Sequence, residues 1–422
     1  MIKVQKASEF QARRPIRGTA PASIAASVAE IISDVKNRGD IAVRELTEKW
    51  DGCAPETIEV GENEIEAAIN AVGDSFMAVM KRAAENISEY HSKQIRQGFV
   101  MTKDNGIVLG QRILPINRVG IYVPGGTASY PSTVLMNAIP AKLAGVNEIA
   151  IATPPMKDGR VNAMILAAAR LSGADRIYKM GGAQAIAAMA FGTETINRVD
   201  KITGPGNAYV AEAKRQVFGI VGIDMIAGPS DILVIADEKA DPVLVAADML
   251  SQCEHGEDSI AVLVTDSKTL ADKTQLEIEK QLSALPREKT ARESIESNGR
   301  IILVDSLDEA FEISNELAPE HLEIFLEEPF SYLGMIRNAG SVFLGKNTPE
   351  AVGDYYAGPN HTIPTSSTAW FSSPLSIDDF QKKMSFSYYT ADALRLASDD
   401  IAKFAKEEGF DAHALSVTKR IK

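Results

Sequence analysis

The sequence predicts an α/β fold of two Rossmann-like, doubly wound βαβ units, with a helical N-terminal segment and a small C-terminal helical tail. Two observations predict it. Beyond Ile113, short apolar runs alternate with helical stretches, and parallel strands need crossovers of that kind. The alternation comes as two series, parted near Ala227-Gly228-Pro229-Ser230. A chain of 422 residues leaves room for two such units, at roughly 100–200 residues per domain.

The elements follow in order. Residues 1–22 read as an arm, and 23–115 as a helical segment expected to pack with the second α/β unit. Within it Ser23 is a plausible N-cap, Ile31, Ile32 and Val35 continue an apolar stripe, and Gly39 ends the helix. Further helices are expected over Ile41–Trp50 and from about Asn63 past Tyr90, with no strand before about Ile107. The first Rossmann-like unit, 116–230, has strands at Val119–Val123, Glu148–Ala152, Arg176–Met180 and Lys201–Thr203. The second, 231–370, has them at Ile232–Ala236, Ile260–Thr265, Arg300–Val304, His321–Phe325 and Ser341–Leu344. Residues 371–422 form the tail, helical from about Asp378.

Charge and cysteine content exclude several classes. Forty-four basic against 57 acidic residues leave a net charge of -13, which repels polyphosphate at long range and argues against nucleic-acid binding. Cys53 and Cys253 support neither a disulfide framework nor a thiolate zinc site, which points to a reducing cytoplasm. No apolar run approaches the ~18 residues of a membrane span, and the N-terminus lacks a signal-peptide pattern.

Three glycine turns follow strands of the first unit: Val123-Pro124-Gly125-Gly126-Thr127, Met180-Gly181-Gly182-Ala183-Gln184 and Thr203-Gly204-Pro205-Gly206-Asn207. Glycine allows positive φ and close backbone approach, so each turn can bring amides to a pyrophosphate. None is a G-x-G-x-x-G, and the reading is a non-standard dinucleotide site.

Four of the five histidines fall in the second half beside acidic or amide residues, while His91 sits in a polar helical context and is expected at the surface. Gln252 and His255 are three apart in the last turn of a helix that Gly256 would end. Asp354 and His361 frame a turn, and His413 follows Glu407, Glu408 and Asp411. Nitrogen and oxygen donors without thiolates suit Zn²⁺ in a functional site. Glu320 and His321 are adjacent after Pro319, and a joint role requires irregular backbone there because neighbours on a strand diverge.

These stretches resemble histidinol dehydrogenase over nearly the whole chain: VGIYVPGG (119–126), GGAQAIAAMAFGTE (181–194), DKITGPGNAYVAEAKRQV (200–217), IDMIAGPSDILVIAD (223–237), MLSQCEHGEDS (249–259), APEHLEI (318–324), GSVFLG (340–345), GDYYAGPNHTIPT (353–365) and EGFDAH (408–413). The resemblance implies a cytoplasmic, NAD-dependent zinc enzyme. It would oxidise L-histidinol to L-histidine in two steps, as an intertwined homodimer with shared active sites. It also implies zinc ligands Gln252, His255, Asp354 and the partner's His413. Substrate contacts would come from Ser230, Gln252, His255, His321, Asp354, Glu408 and His413, with Glu408 also crossing over. Tyr122, Gln184 and Asn207 would contact NAD; Glu320 and His321 would be the acid–base pair, Glu320 activating water. His361 is given no direct contact with metal or substrate, and Cys253, without an activating cation, reads as packing. The rival classes are a same-scaffold oxidoreductase for another small alcohol and a zinc hydrolase.

Overall fold

The computed structural model describes residues 1–10, 21–125, 129–226 and 228–421. Gly126 and Thr127 of the first glycine turn, Ala227 and much of the expected arm lie outside the described residues. The chain divides into two compact units, residues 1–94 with 116–380 and residues 95–115 with 381–422.

Fourteen strands occur among the described residues: β1 Lys3–Lys6, β2 Phe99–Thr102, β3 Val108–Pro115, β4 Arg118–Tyr122, β5 Glu148–Thr153, β6 Arg176–Lys179, β7 Lys201–Thr203, β8 Gly222–Ile223, β9 Asp231–Ala236, β10 Ile260–Thr265, β11 Arg300–Leu303, β12 His321–Phe325, β13 Ser341–Leu344 and β14 Gln381–Tyr388. The larger unit holds two parallel sheets. One runs β6-β5-β4-β7-β8; the other runs β1-β11-β10-β9-β12-β13. Without β1 the second reproduces the order of the first, each sheet's opening strand lying between its second and fourth. Both are Rossmann halves with the reversal of strand order beside the opening strand, where such sheets leave a crevice.

Side chains alternate between two cores. Val119, Ile121, Ile149 and Ile151 face one side of the first sheet, while Tyr122, Ala150 and Ala152 face the other. The helices Ala22–Arg38 and Asp40–Asp51 pack against this sheet's helices, as do Glu62–Val72 and Asp74–Ser92. They therefore cover the first α/β sheet, not the second as expected, because their apolar stripes complete the two cores around β4 and β5.

Other expectations change at element boundaries. Ser23 is not the N-cap; the helix starts at Ala22 after Pro21. The long helix from Asn63 is two helices parted by Gly73 at φ 79°. His91 is buried, not at the surface, since it continues the stripe Met80, Ala83, Ala84 and Ile87 and its Nδ1 pairs with Gln94 at 2.7 Å.

The smaller unit is a three-stranded antiparallel sheet, β14-β3-β2, with helices Ala391–Glu407 and Asp411–Thr418. Part of the expected helical tail is thus a strand, β14, paired to β3 from Gln381↔Pro115 to Tyr388↔Val108. Among the described residues no helix is long and apolar enough to cross a membrane.

Candidate functional site

Two clefts of the larger unit collect the expected site residues. The first, about 840 Å³, forms at the carboxyl ends of β4, β5 and β6 and is lined by Tyr122, Gly182, Gln184 and Asn207. Its turns are tied together through Tyr122. The Gly182 amide donates to the Tyr122 hydroxyl at 3.0 Å, and Gly204, at φ 108°, lies so close to the Tyr122 carbonyl that any Cβ would collide with it. Gly204 is held from both sides: its N–H donates to Asp224 at 2.8 Å, and its carbonyl accepts from Lys214 at 2.9 Å. Lys214 and Asp224 form a buried ion pair beneath it. Asn207 Oδ1 caps the following helix by accepting from Tyr209 and Val210, leaving its amide nitrogen for a ligand. Glycine turns, a helix N-terminus and this volume fit a dinucleotide.

The second cleft, about 630 Å³, shares Asn207 with the first and collects Ser230, Gln252, His255, Glu320, His321 and Asp354. It faces the amino ends of β9 and β12, opposite to the usual carboxyl-end position in such sheets. Glu320 precedes β12 at a bend, after Ala318 at φ 48°, so the irregular backbone that a joint role requires is present. Its Oε2 lies 3.9 Å from His321 Nδ1. His321 Nδ1 is 3.0 Å from the Asp231 carbonyl, which assigns the ring proton to Nδ1 and leaves the buried Nε2 without a hydrogen bond. Nε2 stands 3.6 Å from Asp354.

Burial pushes the Glu320 carboxyl up to about 8, against the pull of His321. For His321 burial acts downward, but Glu320, Asp354 and Glu350 outweigh it and raise the ring well above its ordinary value. Asp354 is held below the usual carboxylate range: burial acts upward, and His321 and His361 overcome it.

The helix Pro242–Cys253 ends two residues earlier than expected, with Gln252 in its last turn; His255 follows in a turn, and its amide donates to the Gln252 carbonyl at 3.1 Å. The turn keeps both residues on one cleft although His255 is exposed. Gln252 is fully buried, and neither polar atom of its side chain has a hydrogen-bond partner. Such an amide is costly unless a ligand completes it. It sits with a carboxylate and an imidazole at the negative ends of two helices, Pro242–Cys253 and Glu350–Tyr355, a donor set that fits a divalent cation.

Sequence reasoning missed Glu350. Its carboxylate lies with His321 Nε2 and Asp354 in a group whose donor atoms are all within 4.8 Å of one another, a second arrangement able to hold a metal. Glu350 follows a proline in a six-residue helix, and only its burial, not its spacing, marks it. His361 borders the same cleft, its Nδ1 3.0 Å from the Asp354 carbonyl. Cys253, next to Gln252 in the chain, is buried in the hydrophobic core, and burial pushes its thiol up to about 11. Glu408 and His413 lie in the smaller unit, both exposed.

Comparison with known proteins bears on the whole chain. The family model for histidinol dehydrogenase matches residues 16–421. A histidinol dehydrogenase of Clostridium acetobutylicum is 55% identical over 413 residues, 98% of this chain and 96% of that protein. One from Listeria innocua is 51% identical over 397 residues, 94% and 93% of the two chains. A crystal structure of histidinol dehydrogenase from Elizabethkingia anophelis superposes with a TM-score of 0.94 at 40% identity, covering 100% of this chain and 98% of that one. With matches of this length around both clefts, the chain belongs to the histidinol dehydrogenase family.

Proposed function

We propose that the chain oxidises L-histidinol through the aldehyde to L-histidine, using two NAD⁺ and one zinc ion. The observation that carries this reading is the meeting of the two clefts at Asn207, which puts a dinucleotide-sized crevice against the Glu320–His321 pair. When bound, the dinucleotide supplies the hydride acceptor for each oxidation, and zinc supplies an anchor for the substrate's amino and imidazole nitrogens.

Gln252, His255 and Asp354 would hold the metal, with His413 from a second copy; Ser230, His321 and the second copy's Glu408 would orient the substrate. In its neutral form His321 accepts the alcohol proton at Nε2, while its Nδ1–H stays on the Asp231 carbonyl; a cation held by Asp354 would offset one of the charges that raise the ring. Glu320, as the carboxylate, takes a proton from water as the water oxygen adds to the aldehyde carbon, while His321 returns the alcohol's proton to the aldehyde oxygen; this completes the neutral hydrate and frees Nε2. His321 then accepts the hydrate's proton as the second hydride leaves to a fresh NAD⁺. Tyr122, Gln184 and Asn207 would bind the dinucleotide.

Shared sites need a homodimer, and exposed apolar side chains on the smaller unit support that reading. Leu396, Phe404, Phe410 and Leu415 are exposed on or between its two helices, beside Glu408 and His413. The test is L-histidinol with NAD⁺, with and without a chelator: the expected result is two NADH per substrate, lost on chelation and restored by zinc. A substrate oxidised with only one NADH, or at an unchanged rate after complete metal removal, contradicts it.

A further inference from the structure

The dinucleotide cleft has a wall that the glycine turns do not provide. In a Rossmann half the carboxylate that reads the adenosine ribose stands at the end of the second strand. Here that strand, β5, ends Thr153-Pro154-Pro155, with no acidic residue. A carboxylate enters from elsewhere. Asp51, the last residue of the helix Asp40–Asp51, lines this cleft with Trp50, and neither residue borders the cleft of Glu320 and His321. Its Oδ2 is withdrawn from solvent beside Gly181 and has no hydrogen-bond partner.

We infer that the Trp50–Asp51 part of the cleft is the adenosine subsite, and that Asp51 accepts hydrogen bonds from the ribose diol and so selects NAD over NADP. This rests on the dinucleotide reading above. The placement follows from the lining: nicotinamide has to reach Asn207, which borders both clefts, whereas Trp50 and Asp51 border the first alone, which leaves their part of it to adenosine. Trp50 offers an aromatic face there for the base. A 2′-phosphate would set its negative charge against a carboxylate fixed in the wall, whereas Lys157, the cation on this cleft, is exposed. Burial raises the Asp51 carboxyl to about 6, the mark of an acceptor whose donor a ligand would bring.

The test compares NAD⁺ with NADP⁺ for the full-length enzyme and for Asp51→Asn and Asp51→Glu. Asp51→Asn is expected to raise KM for NAD⁺ about tenfold and to shrink the NAD⁺:NADP⁺ ratio of kcat/KM by at least tenfold, while Asp51→Glu keeps most of the discrimination. A ratio and KM within twofold of the unsubstituted enzyme would overturn the inference. Should Asp51→Asn not fold, the unsubstituted enzyme decides through inhibitors: ADP-ribose should compete with NAD⁺ at least tenfold more tightly than its 2′-phosphorylated analogue, and equal inhibition overturns the assignment. Failure of the unsubstituted enzyme to reduce either dinucleotide defeats the function reading itself and this inference with it. Active enzyme indifferent to Asp51 defeats the inference alone.

Discussion

Glu320 and Asp231 exchange hydrogen bonds across the amino ends of β12 and β9: the Glu320 amide donates to Asp231 Oδ1 at 2.7 Å, and the Asp231 amide donates to Glu320 Oε2 at 3.0 Å. The same Asp231 carbonyl holds His321 Nδ1. One residue on β9 therefore orients both members of the acid–base pair, and it sits one position before the Ile232↔His321 register pair.

That clamp separates two substitutions. Glu320→Gln keeps the acceptor for the Asp231 amide but cannot take a proton, so it should slow aldehyde oxidation at least tenfold more than alcohol oxidation. Asp231→Ala leaves the buried Glu320 amide unpaired, costs about 1–3 kcal/mol of stability, and should slow both steps. Single-turnover kinetics with L-histidinol and with the aldehyde reads this directly. Equal damage to both steps by Glu320→Gln argues against its role in activating water.

The two histidines of the cleft should part on metal content. His255→Asn is expected to lower zinc affinity ten- to a hundredfold, whereas His321→Asn should retain zinc and lose turnover. Zinc stoichiometry after dialysis against a graded chelator measures it. Zinc lost from His321→Asn and kept by His255→Asn would move the ion to the His321–Glu350–Asp354 group.

Cys253 should be chemically silent. A buried thiol raised to about 11 is not a thiolate at neutral pH, so alkylation at pH 7.5 should spare activity. Cys253→Ala should keep both oxidations while costing about 1 kcal/mol in packing. A variant that performs the first oxidation but not the second would show a thiohemiacetal route.

Both sheets were legible because their central strands are runs of β-branched residues buried on two faces, such as Ile232–Ala236 and Ile260–Thr265. The edge and minor strands were not. β14 is largely exposed, and its pairing with β3 is set by contacts some 270 residues away in sequence, so QKKMSFSY carries no local signal of it. Of the candidate site, the glycine turns and the histidines beside acidic residues stand out as local patterns, but spacing alone is not diagnostic and the roles of their residues come from the resemblance to histidinol dehydrogenase. Glu350 and Asp51 do not stand out, because each works through where its helix ends rather than through a motif. His91 was misread although its spacing from Ile87 and Ala84 places it on the buried stripe.

Stability should fall with pH through a buried acid behind the site. Glu323, on β12, accepts the Glu350 amide at 2.8 Å, and burial, with Asp248 adding to it, pushes its carboxyl from 4.5 to about 9. Between those values the folded protein keeps a proton that the unfolded chain has released, so the native state loses stability as pH rises. Asp248, raised to about 6 by burial, acts in the same sense. Urea midpoints should therefore decline from pH 5 to pH 9, and Glu323→Gln should flatten the decline. A midpoint that climbs over this range, or a variant with the original slope, contradicts the buried protonated acid.

Shared sites make a prediction that single substitutions cannot. If His255 serves its own subunit's cleft and His413 its partner's, His255→Ala and His413→Ala homodimers are both inactive. Mixed subunits then contain one cleft with both residues intact. Random reassociation makes about half of the dimers mixed, with one good cleft of two, so co-refolded variants should regain roughly a quarter of the unsubstituted activity. The variants refolded separately and combined without exchange should regain nothing. If co-refolding restores no activity although light scattering shows dimers, His413 acts within its own chain. Recovery without dimer exchange would instead mean that neither substitution had abolished its site.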